Sequence, residues 1–331
     1  YRGELHYVAS PISSYVHGSY VQGIQRKERE MLINTGVAAA TSSFVMWGLL
    51  PIYWKQLDGV PAYEILCHRM AWSLVVTLGL LAVMGKMRGF TSLFKQKRQC
   101  GYFLVTAVIL GVNWLVYIWA VNAGHILDAS LGYFINPLVS VCFGVIFLKE
   151  KIRPVQWGAV FIASIGVCYL TWLYGTLPWI AITLASTFAC YGLLRKIATV
   201  PALEGLCLET AILFLPASLF LAFLEFKGSG AFLHGSPAQS LLLFGTGAAT
   251  TAPLLCFCYA ARRIPLYVVG LLQYLAPTIN VFVGILLYGE PFPVERMMGF
   301  AIIWAALLLF ICEGLSHQLR AHRAAVRLEK L

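Results

Sequence analysis

The chain has 331 residues, of which 60% are hydrophobic and only 11% charged, with a mean hydropathy of +0.77. A soluble domain cannot bury that much apolar surface, so the composition implies a membrane protein. The net charge of +10 does not point to nucleic acid, because Lys and Arg fall in short clusters between apolar runs and form no long basic face.

Residues 1–30 are polar, rich in Tyr, Ser and His and without an apolar run of the signal-peptide kind; they are expected to be a leader outside the fold, disordered or not native. Ten spans are then predicted, at 33–54, 64–84, 101–121, 127–148, 155–174, 177–194, 204–224, 239–261, 267–288 and 297–315, followed by a basic cytoplasmic tail at 316–331. Each is long enough to cross a hydrocarbon core of about 30 Å as a helix. The runs are continuously apolar where barrel strands would alternate, so the expected fold is an all-α, polytopic membrane protein.

Lys and Arg near the span ends divide unevenly. Nineteen lie on one side, in the clusters around 26–29, 86–98, 149–153, 195–196, 262–263 and 320–330, against three (Lys55, Lys227, Arg296) on the other. The positive-inside rule therefore predicts both termini in the cytoplasm.

The stretch Leu131–Glu150 is repeated at Leu271–Glu290. At an offset of 140 residues, Leu131 meets Leu271, Phe134 meets Tyr274, Pro137 meets Pro277, Gly144 meets Gly284 and Glu150 meets Glu290. The same offset sets Val60, Pro61, Ala62, Glu64, Leu66 and Cys67 on Val200, Pro201, Ala202, Glu204, Leu206 and Cys207. One register without gaps implies an internal duplication, with a first repeat at 33–174 and a second at 177–315. Five spans per repeat turn the second half upside down relative to the first, and inverted repeats are a recurrent device of secondary transporters. The plainer reading is that duplication only built a stable bundle.

Polar residues inside spans are costly and mark candidate sites. In the fourth span Tyr133, Asn136 and Ser140 recur on one helical face around Pro137, and in the ninth Gln273 and Asn280 recur around Pro277; Asn113 and Tyr117 share a face of the third span. Asn113, Tyr117, Tyr133, Asn136, Gln273, Tyr274 and Asn280 are the predicted lining of a midplane solute site, with interhelical hydrogen bonding as the bland alternative. The second span opens with Glu64, His68 and Arg69. Glu64 and His68, four apart, are placed to hydrogen-bond, and Arg69 reads either as an anion-binding or proton-passing group or as a snorkelling arginine held by Glu64. Glu209 is the equivalent of Arg69 in the second half, where inversion argues against a direct pair. Glu64, His68, Asp128 and Glu209 are the candidate titratable groups for proton coupling.

The nine cysteines are scattered without metal spacing and read as small buried hydrophobes. There is no Walker loop, HExxH or GxSxG motif, so neither a nucleotide-driven pump nor a common hydrolase is indicated, and no cofactor or metal is expected. The expected partners are a small-molecule substrate and the lipid bilayer, with no nucleic acid.

Several stretches resemble the RarD-type transporters of the EamA, or drug/metabolite transporter, superfamily. They are Glu64-Ile65-Leu66 with His68-Arg69 and Trp72-Ser73, Asn113-Trp114-Leu115, Ile118 to Asn122, and Ala129 to Leu138. The second half adds Tyr191-Gly192-Leu193, Pro253 to Phe257, Gln273-Tyr274 and Tyr288-Gly289-Glu290. The resemblance covers about Thr35 to Phe310 and implies ten helices in two repeats, a bacterial inner-membrane location and a central cavity; Asp128 departs mildly from the Glu expected there. The superfamily moves amino acids, other metabolites and drugs, and RarD-type members carry a chloramphenicol-sensitivity label. The functional expectation is a secondary transporter exporting a small amphipathic metabolite or drug-like solute, with a membrane-embedded enzyme or a receptor-like binding protein as the alternative.

Overall fold

The computed structural model describes the backbone of residues 11–123, 125–175, 178–291 and 293–328, and within these the side chains of residues 31–320 except at 121, 126–128, 174, 318 and 319. The side chain of Asp128 therefore lies outside the described residues. Among those described, every regular element is a helix: α1 (Pro11–Lys55), α2 (Ala62–Val83), α3 (Met87–Leu93), α4 (Lys97–Asn122), α5 (Ile126–Leu148), α6 (Pro154–Tyr174), α7 (Trp179–Ile197), α8 (Ala202–Phe226), α9 (Pro237–Ala261), α10 (Leu266–Leu272), α11 (Leu275–Tyr288) and α12 (Val294–Leu328). Among the described residues, ten segments are long and apolar enough to span a membrane, with α10 and α11 making one of them together. That crossing departs from the continuous ninth span expected: it breaks at Gln273–Tyr274, four residues before Pro277, where the proline ring cannot accommodate an ordinary helical turn.

Sequence explains most boundaries. Pro237 opens α9 behind the Ser236 side chain, which accepts from the Gln239 amide at 3.1 Å. The duplicated stretches end alike, Lys149 at φ 52 after α5 and Gly289 at φ 63 after α11. The amides of Glu150 and Glu290 then return to the Gly144 and Gly284 carbonyls at 3.1 and 3.0 Å. Each carboxylate folds over its glycine: a Cβ there would sit 2.6 Å from Glu150 Oε2 at Gly144 and 2.9 Å from Glu290 Oε2 at Gly284.

Packing follows the duplication. With α1, α2, α4, α5 and α6 taken as equivalents of α7, α8, α9, α10–α11 and α12, the contact of α5 with α7 is matched by α1 with α11, that of α2 with α9 by α4 with α8, and that of α1 with α9 by α4 with α7. The remaining large contacts, α2 with α8, α5 with α10 and α6 with α12, join equivalents to each other. The two halves are interlocked rather than side by side. Large apolar residues such as Leu115, Phe161, Leu219, Leu241 and Leu286 are exposed, as hydrocarbon surroundings require. All nine cysteines are free, and Cys142, Cys168 and Cys312 are exposed rather than buried, which corrects the expectation that all nine would pack inside.

Candidate functional site

A cavity of about 450 Å³ lies in the middle of the bundle. Its lining begins at Phe44, Phe188 and Leu254 near mid-helix and runs to Trp54, Glu290, Pro291 and Arg296. These last four belong to the end that carries few Lys and Arg. Among the described residues, none of the lining comes from the loops of the basic end, and the described cavity extends to the other side.

Of the seven residues predicted to meet there, Asn113, Tyr117, Tyr133, Asn136, Gln273 and Asn280 line the cavity. Asn113 Nδ2 donates to the Leu184 carbonyl at 2.9 Å and to Thr187 Oγ1 at 2.8 Å, which fixes the amide against α7. Tyr117 and Tyr133 meet edge to face with centroids 6.3 Å apart, and Tyr133 is 46% exposed because it faces open space. Ser140 Oγ lies 3.4 Å from Asn136 Oδ1 and 3.3 Å from Gln273 Oε1, tying the two duplicated stripes together. Asn280 Oδ1 is buried with no hydrogen-bond partner among the described residues, an acceptor left for something in the cavity.

Tyr274 does not line the cavity. It is 1% exposed, and its hydroxyl donates to the Phe134 carbonyl at 3.2 Å. The backbone stays right-handed helical through Gln273 and Tyr274, so Tyr274 points about 100° round the helix from Gln273, into the core with Phe134 and Phe300.

The Glu64, His68 and Arg69 cluster is divided. Five residues along a helix turn a side chain by about 140°, so Arg69 faces away from Glu64. Arg69 lines the cavity, with Nε 3.0 Å from Thr250 Oγ1 and Cζ 5.0 and 5.2 Å from the Trp54 and Trp114 ring centroids. It is thus not a snorkelling residue held by Glu64. Glu64 Oε1 accepts from the Ala231 amide at 2.6 Å. His68 Nε2 stands 3.8 Å from Glu64, too far for the hydrogen bond expected from their spacing. Both lie beneath Phe232, away from the main cavity. Sequence reasoning also missed Trp54 and Glu290 as lining residues; each sits at a helix end, where belt and loop roles are commoner.

The basic end is closed by polar contacts. Glu209 accepts from Thr106 at 2.6 Å and Tyr191 at 3.0 Å and lies 3.5 Å from Arg195, all out of contact with solvent. Arg195 also donates to the Ala202 carbonyl at 2.9 Å. Glu150 accepts the first amides of α10, Leu266 at 2.7 Å and Tyr267 at 3.0 Å, where the helix N-terminus favours a carboxylate. Lys196 lies 3.6 Å from Glu150 and donates to the Ile264 carbonyl at 2.6 Å.

A model of the EamA-like transporter family matches residues 34–172 and, a second time, 177–312. The chain belongs to that family. This EamA member is similar along most of its length to curated RarD proteins. Protein RarD of Escherichia coli (strain K12) is 40% identical over 288 residues, 87% of this chain and 97% of that one. The uncharacterized transporter YojE of Bacillus subtilis (strain 168) is 44% identical over 284 residues, 83% of this chain and 93% of its own. The chloramphenicol-sensitive protein RarD of Pseudomonas aeruginosa is 30% identical over 278 residues, 83% and 92% respectively. A solved structure superposes with a TM-score of 0.65 at 16% identity, over 83% of this chain and 96% of that one; at that identity the likeness concerns the fold alone. The EamA protein is a RarD-type, multi-pass membrane transporter.

Proposed function

We propose that the protein is a secondary transporter, not an enzyme, that exports a small amphipathic solute of the amino-acid or amphenicol class by alternating access across a bacterial inner membrane. Both termini are cytoplasmic in this reading, because the basic end then obeys the positive-inside rule, and the cavity opens away from the cytoplasm.

The observation that carries the proposal is the unequal state of two duplicated carboxylates. Glu150 is seated on the first turn of α10, whereas Glu290, its counterpart, lines the open cavity with no hydrogen-bond donor among the described residues. The offset of 140 assigns Glu290 an equivalent seat on the first turn of α5, at Ile126 and Leu127. Closing that seat while opening the other exchanges the sealed and open ends, which is the interconversion inverted repeats permit.

Purified protein in liposomes tests the proposal against amino acids, nucleosides and amphenicols under imposed ion gradients. Flux above empty vesicles for at least one of them is expected; none under any gradient would remove the reading. Reporters fused after Gly175 and after Arg263 should lie on opposite sides of the membrane, and the same side for both would overturn the topology.

A further inference from the structure

Arg69 is the deepest charge facing the cavity among the described residues. It sits seven residues inside α2, about 10 Å from the helix start, whereas Glu290 follows α11 and Arg296 opens α12 at the mouth. No carboxylate lies within ion-pair distance of Arg69 among the described residues: Glu64 is engaged by Ala231 and Glu209 by Arg195. Among the described residues, the charged groups lining the cavity are two guanidinium groups, Arg69 and Arg296, and the carboxylate Glu290.

A guanidinium keeps its proton throughout the physiological range. Withdrawn from bulk water with no counter-charge among the described residues, it is costly and gains from an anion. Its Nε is already bonded to Thr250 and its plane is flanked by Trp54 and Trp114, so the side chain is held in place with its Nη hydrogens still to offer. That is the fork that takes two oxygens of an oxyanion side by side. Tyr117 and Tyr133 line the same cavity as Arg69 and can add hydroxyl donors. Phe44, Trp47 and Phe188 supply apolar walls below.

We propose that the cavity binds amphipathic organic anions, with the anionic group on Arg69 and the apolar body against the aromatic walls. The inference rests on the transport reading for its physiological meaning, and a binding measurement tests it separately. Four probes share one phenyl body: 3-phenylpropionate, phenyl phosphate, 3-phenylpropionamide and 3-phenylpropylamine. Binding to the purified full chain is read from tryptophan emission and thermal shift. The acid or the phosphate should bind at least about tenfold more tightly than the amide and the amine, and the tighter of the two identifies the preferred oxyanion. Arg69→Gln should weaken acid binding by about tenfold or more while leaving the amide unchanged, and Arg69→Lys should fall between, because it keeps the charge and loses the fork. An amine or amide that binds as well as the acid, an unchanged acid affinity in Arg69→Gln, or no binding by any probe at millimolar concentration overturns the proposal. Should Arg69→Gln not fold, the wild-type ranking and Arg69→Lys decide. Acid binding without flux in liposomes would remove transport and keep the anion site; flux of the amine in preference to the acid would do the reverse.

Discussion

The Tyr274 hydroxyl donates to the carbonyl of Phe134, its own counterpart 140 residues earlier. A residue meets its duplicate only near the axis that exchanges the halves, so this bond marks where the axis passes between α5 and the α10–α11 break. Tyr274→Phe removes one buried hydrogen bond and leaves the Phe134 carbonyl to its helical partner. It should lower stability by about 1 kcal/mol, seen as a drop in melting temperature of a few degrees, and leave transport per folded molecule unchanged.

Tyr133→Phe and Gln273→Leu should behave in the opposite way. Both residues line the cavity, and neither change adds charge, so abundance and melting temperature should stay near wild type while liposome flux falls several-fold. Normal flux from both variants at normal abundance would count against the cavity as the solute path.

The two duplicated carboxylates give a paired prediction. In a background without native cysteines, Ala276→Cys on the cavity wall reports access from the charge-poor side by labelling with an impermeant thiol reagent. Glu290→Gln weakens the charge–dipole attraction proposed to close that side and should raise the labelling rate. Glu150→Gln weakens the seat on α10 and should lower it. Changes in the same direction for both would sever the link between these residues and access.

Arg195 and Glu209 are both 0% exposed and paired. Removing one partner leaves a buried charge uncompensated, so Glu209→Gln and Arg195→Met should each cost about 3–5 kcal/mol, while replacing both together should restore part of the loss. Thermal melts of the three proteins check the cycle.

Close helix contact gives a steric prediction. A Cβ at Gly247 would lie 2.4 Å from the Trp72 backbone, whereas nothing lies within 4 Å of one at Gly79. Gly247→Ala should therefore push α2 from α9 and cost roughly 1–3 kcal/mol, while Gly79→Ala should be neutral or mildly stabilising; the difference in melting temperature decides.

Spans and register were readable because length, apolarity and a constant offset are properties of the chain itself. Polar residues such as Asn113 and Gln273 were readable as inward-facing because hydrocarbon penalises the alternative. Of the readings open for Arg69, the snorkelling arginine held by Glu64 fails, because about 140° between them on the helix sends Arg69 to Thr250 instead. Tyr274 departs from expectation for a different reason: its hydroxyl finds a backbone carbonyl within α5, and no side-chain pattern announces that. The state of Glu290 was beyond reach, since identical positions in two repeats read identically while only one of them is engaged.

The interlocking of the halves bears on biogenesis. In α1 the residues that find helical neighbours find them mainly in α9 and α11, which are synthesised some two hundred residues later. When the ribosome has delivered the first five crossings, α1 has been inserted into the bilayer without the surfaces it will pack against, and Ser43, whose hydroxyl finally donates to the Pro253 carbonyl at 2.7 Å, has no such acceptor. The first repeat is therefore a unit of ancestry and not of assembly: a polypeptide ending near residue 175 should insert, fail to consolidate, and be cleared by membrane proteases unless the second repeat is supplied alongside it.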